Sequence, residues 1–204
     1  NNIPVGKNVY KVFFLLPMVL SMITVGTLFK YLLASDESGI VNHLLSYLGL
    51  GPYAFFNDPA TARESVVLMA VWKGMGYNVI LFFAGLQVVP RELYEAAKVD
   101  GATEFKQWIH ITIPSIKNTF TFVFITSTIA ALKRFTDVYA ISGEYGTPAG
   151  ALNTLMLYIY RNSFSTLNYK DIGRASAASI VMFVVIMVIT LINLRLTSGD
   201  NTAT

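Results

Sequence analysis

Long gaps between charged residues constrain this chain more than any other feature. Eighteen uncharged residues separate Lys11 from Lys30, and twenty separate Arg174 from Arg195. Seventeen lie between Lys73 and Arg91, and Ser65 to Trp72 extends that run upstream. A further run, Asn118 to Leu132, is 15 residues long and reaches Tyr139 if Lys133, Arg134 and Asp137 face a wet interior. About 20 residues of α-helix cross a hydrocarbon core. Backbone polar groups in lipid must bond within the chain, so these runs are expected to be helices. Only 13% of the 204 residues are charged, about half the usual share of a soluble domain. The expected fold is an all-α membrane protein with four spans, at about 11–33, 64–89, 115–139 and 173–196.

Several classes are excluded or unsupported. Cysteine is absent, which removes disulfides and thiolate metal sites. A net charge of +3, spread along the chain, gives no basis for nucleic-acid binding. His43 and His110 lack the spacing of a metal site. No P-loop motif occurs, so ATP is not held that way on this chain, and neither His-Glu-x-x-His nor Gly-x-Ser-x-Gly is present. The chain starts at Asn1, and Lys7 to Lys11 leads straight into a full-length apolar run, unlike the shorter core of a signal peptide. It is therefore expected to lack its true N-terminus. Residues 197–204 read as a polar tail.

Between the spans, residues 34–63 read as a loop carrying a short interfacial helix at Ile40 to Leu48. Residues 140–172 read as a second loop, Gly-rich and then apolar and turn-rich from Leu152 to Tyr160. The last span opens on the small residues Gly173, Ala175, Ser176, Ala177, Ala178 and Ser179, which let helices approach closely.

The insert at 90–114 is the polar exception. Pro90 suits a helix start, and Glu92 and Glu95 suit its first turn. Asp100-Gly101 ends that helix, Thr103 can cap a second from Glu104 to Ile111, and Pro114 is expected to open the third span. Ala96, Ala97, Gly101 and Ala102 leave little side-chain bulk, with Glu95 and Asp100 flanking them. That is the make-up of a docking surface, although an ordinary amphipathic interfacial helix also fits. Charge does not orient the chain. Seven Lys and Arg residues fall on the insert's side together with the two chain ends, and seven on the other, with Lys73 inside a span.

In the second span, Lys73 and Asn78 are polar groups in an apolar helix, and Gly74, Tyr77 and Leu81 share one face. Lys73 is either a pathway residue, or it snorkels or pairs structurally with a neighbouring subunit. Tyr77 and its face either line a site or pack against helices.

Glu95-Ala96-Ala97, three residues, Gly101, nine residues, Ile111, one residue and Ile113-Pro114 resemble the EAA loop of binding-protein-dependent ABC importer permeases. Ile113 stands where Leu is usual. Gly85-Leu86-Gln87, Pro90 to Tyr94, Phe135 to Tyr139, Leu157 to Tyr160 and Gly173 to Ala177 resemble the carbohydrate-uptake branch, with its maltose, lactose and glycerol-3-phosphate permeases. The turn Gly143-Glu144-Tyr145-Gly146-Thr147-Pro148 departs from the usual Gly-Gly-Pro.

The resemblance implies a type I ABC importer bundle in a bacterial or archaeal cytoplasmic membrane, with two further spans upstream. The insert and C-terminus would be cytoplasmic, with 34–63 and 140–172 outside. Implied partners are a second homologous permease, two ATPase subunits holding ATP and Mg, and an extracytoplasmic solute-binding protein. This chain would carry no cofactor and no catalysis. Glu95, Ala96, Ala97, Asp100, Gly101 and Ala102 would dock the ATPase. Gly74, Tyr77 and Ser127 would line a sugar path, with Arg134 and Asp137 at its rim. A glycerol 3-phosphate or other polar cargo stays open, as does an ATP-independent secondary transporter.

Overall fold

The computed structural model describes residues 14–36, 38–165 and 170–198. Among them the first apolar run is broken into two helices. Residues 14–19 form α1 and Met22–Leu32 form α2, with Leu20 and Ser21 between them. The Ser21 hydroxyl caps α2 by accepting from Thr24 N at 3.1 Å. On the other side of the break, Lys73 Nζ donates to the carbonyls of Pro17 at 2.6 Å, Met18 at 3.0 Å and Leu20 at 2.6 Å. Open carbonyls at a helix end need donors, and a cation there also meets the negative end of the helix dipole. The continuous span expected at 11–33 is thus two helices over its described part, and 11–13 lie outside the described residues.

α3, Ile40–Ser46, sits in the loop that follows. Buried Asn42 ties that loop together. Its Nδ2 donates to Ala34 O at 2.7 Å and Tyr53 O at 2.9 Å, while its Oδ1 accepts from Tyr53 N at 2.9 Å. α4, Ala62–Gln87, is 26 residues long, about 39 Å of helix. It crosses α1 at Gly76, where an added Cβ would stand 2.4 Å from Phe14 O.

α5 is Arg91–Val99 and α6 is Glu104–Gln107. Helical backbone continues from α6 through a π-helical turn, Trp108–Thr112, into α7, Ile113–Ser115. Across Ile116 the chain then bends by 60° into the segment that starts at Lys117. The second helix of the insert therefore runs beyond Ile111, and Pro114 closes it rather than opening the third span. Proline has no N–H and its ring crowds the carbonyl four residues back, here that of His110. The widened turn, with Ile113 N bonded to Trp108 O, lies where that conflict falls.

α8, Lys117–Leu132, and α9, Thr136–Ser142, divide the expected 115–139 span at Lys133 to Phe135. α9 lies against α2, with Gly26 allowing an approach to Ala140 Cβ. The stretch expected to be turn-rich instead forms α10, Leu155–Phe164. Thr154 Oγ1 caps it by accepting from Leu157 N and also donates to Arg134 O at 3.0 Å. α10 packs along α11, Ile172–Ser198, which continues through Thr197 and Ser198 of the expected tail. Residues 199–204 lie outside the described residues.

The buried core gathers Val25 and Phe29 of α2, Val66 and Met69 of α4, Val138 and Ile141 of α9, and Leu157 of α10. By length and composition, α4 and α11 can cross a membrane, and the bent pair from Glu104 to Tyr145 would add a third crossing.

Candidate functional site

α4 and α8 meet at Gly85, where an added Cβ would stand 2.4 Å from Thr119 Oγ1, and at the Phe82–Phe120 ring pair, with centroids 6.2 Å apart. From there a groove of about 640 Å³ opens between them. Gly74, Tyr77, Ser127 and Arg134 line it together, with Asn78 and Thr126 adding polar atoms among apolar neighbours. Helical spacing explains the grouping on α4: Gly74, Tyr77 and Asn78 lie three and four residues apart and share a face.

Each wall residue has a distinct role in the shape. An added Cβ on Gly74 would meet nothing within 4 Å, so its missing side chain leaves open groove and not helix contact. Tyr77 is 46% exposed, and its hydroxyl has no hydrogen-bond partner among the described residues. Ser127 is exposed as well. Thr126 by contrast spends its hydroxyl on Phe122 O at 2.8 Å. Asn78 was missed as a wall residue, although its place four residues after Gly74 was a usable signal.

Asp137 does not share the groove wall. It is 2% exposed, beneath the α8–α9 break, and forms an ion pair with Arg134 Nη1. Lys73 is also absent from the wall, because its ammonium is taken up by the α1–α2 break. The pairing of Lys73 is with backbone carbonyls of its own chain, not with a neighbouring subunit.

At the far end of α4 the insert presents a different surface. Glu95, Ala96, Asp100 and Gly101 are exposed, while Ala97 and Ala102 are half-buried. Gly101 has φ +74°, the left-handed region that favours glycine. Gly101 N bonds to Lys98 O at 3.1 Å and Ala102 N to Ala97 O at 2.8 Å, the paired bonds that close a helix on such a residue. Gly101 is thus required first by the backbone, with open space around it.

Two contacts escaped the sequence reading and make the insert stiff. Gln107, 7% exposed, donates from Nε2 to Ala102 O at 2.9 Å. Tyr94 Oη lies 2.9 Å from Thr112 Oγ1, tying α5 to the π turn below the bend.

The described residues thus form a helical bundle with an open, mostly apolar groove and a braced polar insert. The chain belongs to the family described as the binding-protein-dependent transport system inner membrane component, which it matches over residues 4–198. It is 35% identical over 95% of its length to the arabinooligosaccharides transport system permease protein of Bacillus subtilis (strain 168), covering 60% of that protein. It is 33% identical over 92% of its length to the lactose transport system permease protein of Rhizobium radiobacter, covering 61% of that protein. Among solved structures it resembles a bacterial alginate ABC transporter in complex with an alginate pentasaccharide-bound periplasmic protein. The TM-score is 0.83 at 28% identity, over 97% of this chain and 66% of that one. The chain thus spans about three fifths of the curated relatives' length.

Proposed function

We propose that this chain is the transmembrane permease subunit of an ATP-driven importer that carries a sugar or oligosaccharide across the cytoplasmic membrane. The observation that carries the reading is the α4–α8 groove. A ring such as Tyr77 can cover the apolar face of a sugar, while Ser127, Asn78 and the Tyr77 hydroxyl bond its rim. Relatives named for arabinooligosaccharides and lactose support a carbohydrate cargo.

The insert is the proposed point of energy input. Its small, exposed helix end, Glu95 to Ala102, would sit in a groove of an ATPase subunit on the cytoplasmic face. A second homologous permease and its own ATPase would complete the machine, and a solute-binding protein would deliver cargo to the outer loops 34–63 and 140–172. ATP and Mg would act on the ATPases. As these close, the two inserts would move together, and the bracing through Tyr94–Thr112 and Gln107–Ala102 would pass that motion past the 60° bend into α8. The groove would then open alternately inward and outward. A glycerol 3-phosphate cargo is less well supported, because Lys73 is spent on backbone carbonyls and Arg134 is paired with Asp137.

Gly74→Phe tests the groove, because a Cβ there meets nothing within 4 Å and the larger side chain would extend into the groove. The assembled importer should keep its ATP hydrolysis and lose solute uptake; unchanged uptake would remove the groove from the path. The 204 residues contain no cysteine, so Ala96→Cys adds a thiol whose labelling is read against the unsubstituted importer. It should react with an impermeant maleimide only in inverted vesicles. Labelling from the outside would reverse the orientation.

A further inference from the structure

Arg134 brings a full positive charge to the groove, and it is the one ionisable side chain with a permanent charge among the described residues of that wall. It is not a free cation. The side chain is 24% exposed, and its Nη1 is ion-paired with Asp137, whose side chain is 3% exposed. Asp137 is held in turn by its place in the first turn of α9, two residues past the α8–α9 break, beside the core residue Val138. The break itself is fixed from a third side by Thr154, which donates to Arg134 O while capping α10. The cation is thus anchored at its backbone and at its guanidinium. Lys73, next to Gly74 on α4, donates instead to the carbonyls of Pro17, Met18 and Leu20.

We propose that Asp137 is a positioning residue for solute selection. It holds the Arg134 guanidinium at the groove rim and cancels its charge, so that this wall favours uncharged polyhydroxyl solutes over carboxylated or phosphorylated ones. The remaining guanidinium N–H groups still donate hydrogen bonds to solute oxygens, while the pair as a whole adds no net charge. An unpaired guanidinium in a partly dry groove would instead attract an anion, because charge interactions strengthen as the effective dielectric falls. Asp137 does this without touching the solute, which is why it is absent from the wall. This inference rests on the groove being the solute path.

The test uses the assembled importer in detergent, held outward-open with a non-hydrolysable ATP analogue, and two probes of equal length. One is a neutral trisaccharide and the other a tri-uronate, each measured by equilibrium dialysis. Asp137→Asn should raise the uronate-to-neutral binding ratio about tenfold or more, the size expected of one unscreened charge at close range. Arg134→Gln with Asp137→Asn should return the ratio to the wild-type value, which generic damage to the helix break would not do. A ratio unchanged in Asp137→Asn, with both probes still bound, would overturn the proposal.

Should Asp137→Asn fail to assemble, the wild type still decides. Its ratio should stay flat as salt rises, whereas a free guanidinium would give a ratio that falls. Tyr77→Ala separates this inference from the reading beneath it. If neutral binding survives that change at full strength, the groove is not the site. If it weakens while the charge tests fail, only the role of Asp137 is lost.

Discussion

Two glycines on α4, two residues apart, do opposite things. Gly76 exists because Phe14 O of α1 lies where its Cβ would be, whereas Gly74 faces open groove. Gly76→Ala should therefore lower the thermal stability of the purified complex, by about 1–3 kcal/mol for an overpacked contact, and Gly74→Ala should leave it unchanged. A melting series on the two variants checks this, and equal effects would contradict the assignment of faces. Gly101 makes a third case. Its φ of +74° means that Gly101→Val should lose both the helix end and coupling, while Gly101→Asn, which tolerates the left-handed region, should retain more of each. ATP-driven uptake per ATP hydrolysed is the measure. Tyr77, Gly74 and Ser127 could be placed from spacing and resemblance, because helical periodicity survives in any packing. The burial of Asp137 could not, since nothing in Arg134 to Asp137 tells whether the acid or the base turns inward.

Elements show where local sequence and tertiary contacts part ways. Apolar runs mark α4 and α11 well, as both are long and uninterrupted. The first run looks as continuous in sequence, yet it is broken, whereas the uncharged run Asn118 to Leu132 stays helical throughout and the chain breaks only past it, at Lys133 to Phe135. The α1–α2 break is stabilised by a lysine more than 50 residues away, which no local pattern encodes. Lys73→Met should leave carbonyls of Pro17, Met18 and Leu20 without their donor and destabilise the complex by roughly 2–6 kcal/mol, given about 1–3 kcal/mol for each of the two part-buried groups, at Pro17 and Leu20. A melting temperature equal to wild type would show that the break holds itself. The insert gives the reverse lesson. Its helix starts and stops were readable from Pro90, Gly101 and Thr103, but the π turn before Pro114 and the Tyr94–Thr112 brace depend on the fold. Tyr94→Phe should lower uptake more than ATP hydrolysis, because it loosens the link without altering the exposed docking face. Parallel assays of both rates would show it, and an equal fall in both would count against a transmitting role.

At the scale of the whole molecule, the proposed importer would use this chain as one wall of a path and as one lever. α4 joins the two, since its residues between Val67 and Phe82 line the groove and its C-terminal end leads through Val88 to Pro90 into the insert. Motion at the insert would reach the groove wall through the short turn into α4 and through the braced bend to α8. Ser127, exposed on the α8 side of the groove, is the best reporter of that motion. The deciding measurement is the reactivity of Ser127→Cys toward an impermeant hydrophilic maleimide, in the complete importer reconstituted in vesicles of known sidedness. Without nucleotide the thiol should react from the cytoplasmic side, and with a non-hydrolysable ATP analogue it should react from the outside. Reaction from one side in both states, or none in either, would contradict an alternating path along this groove.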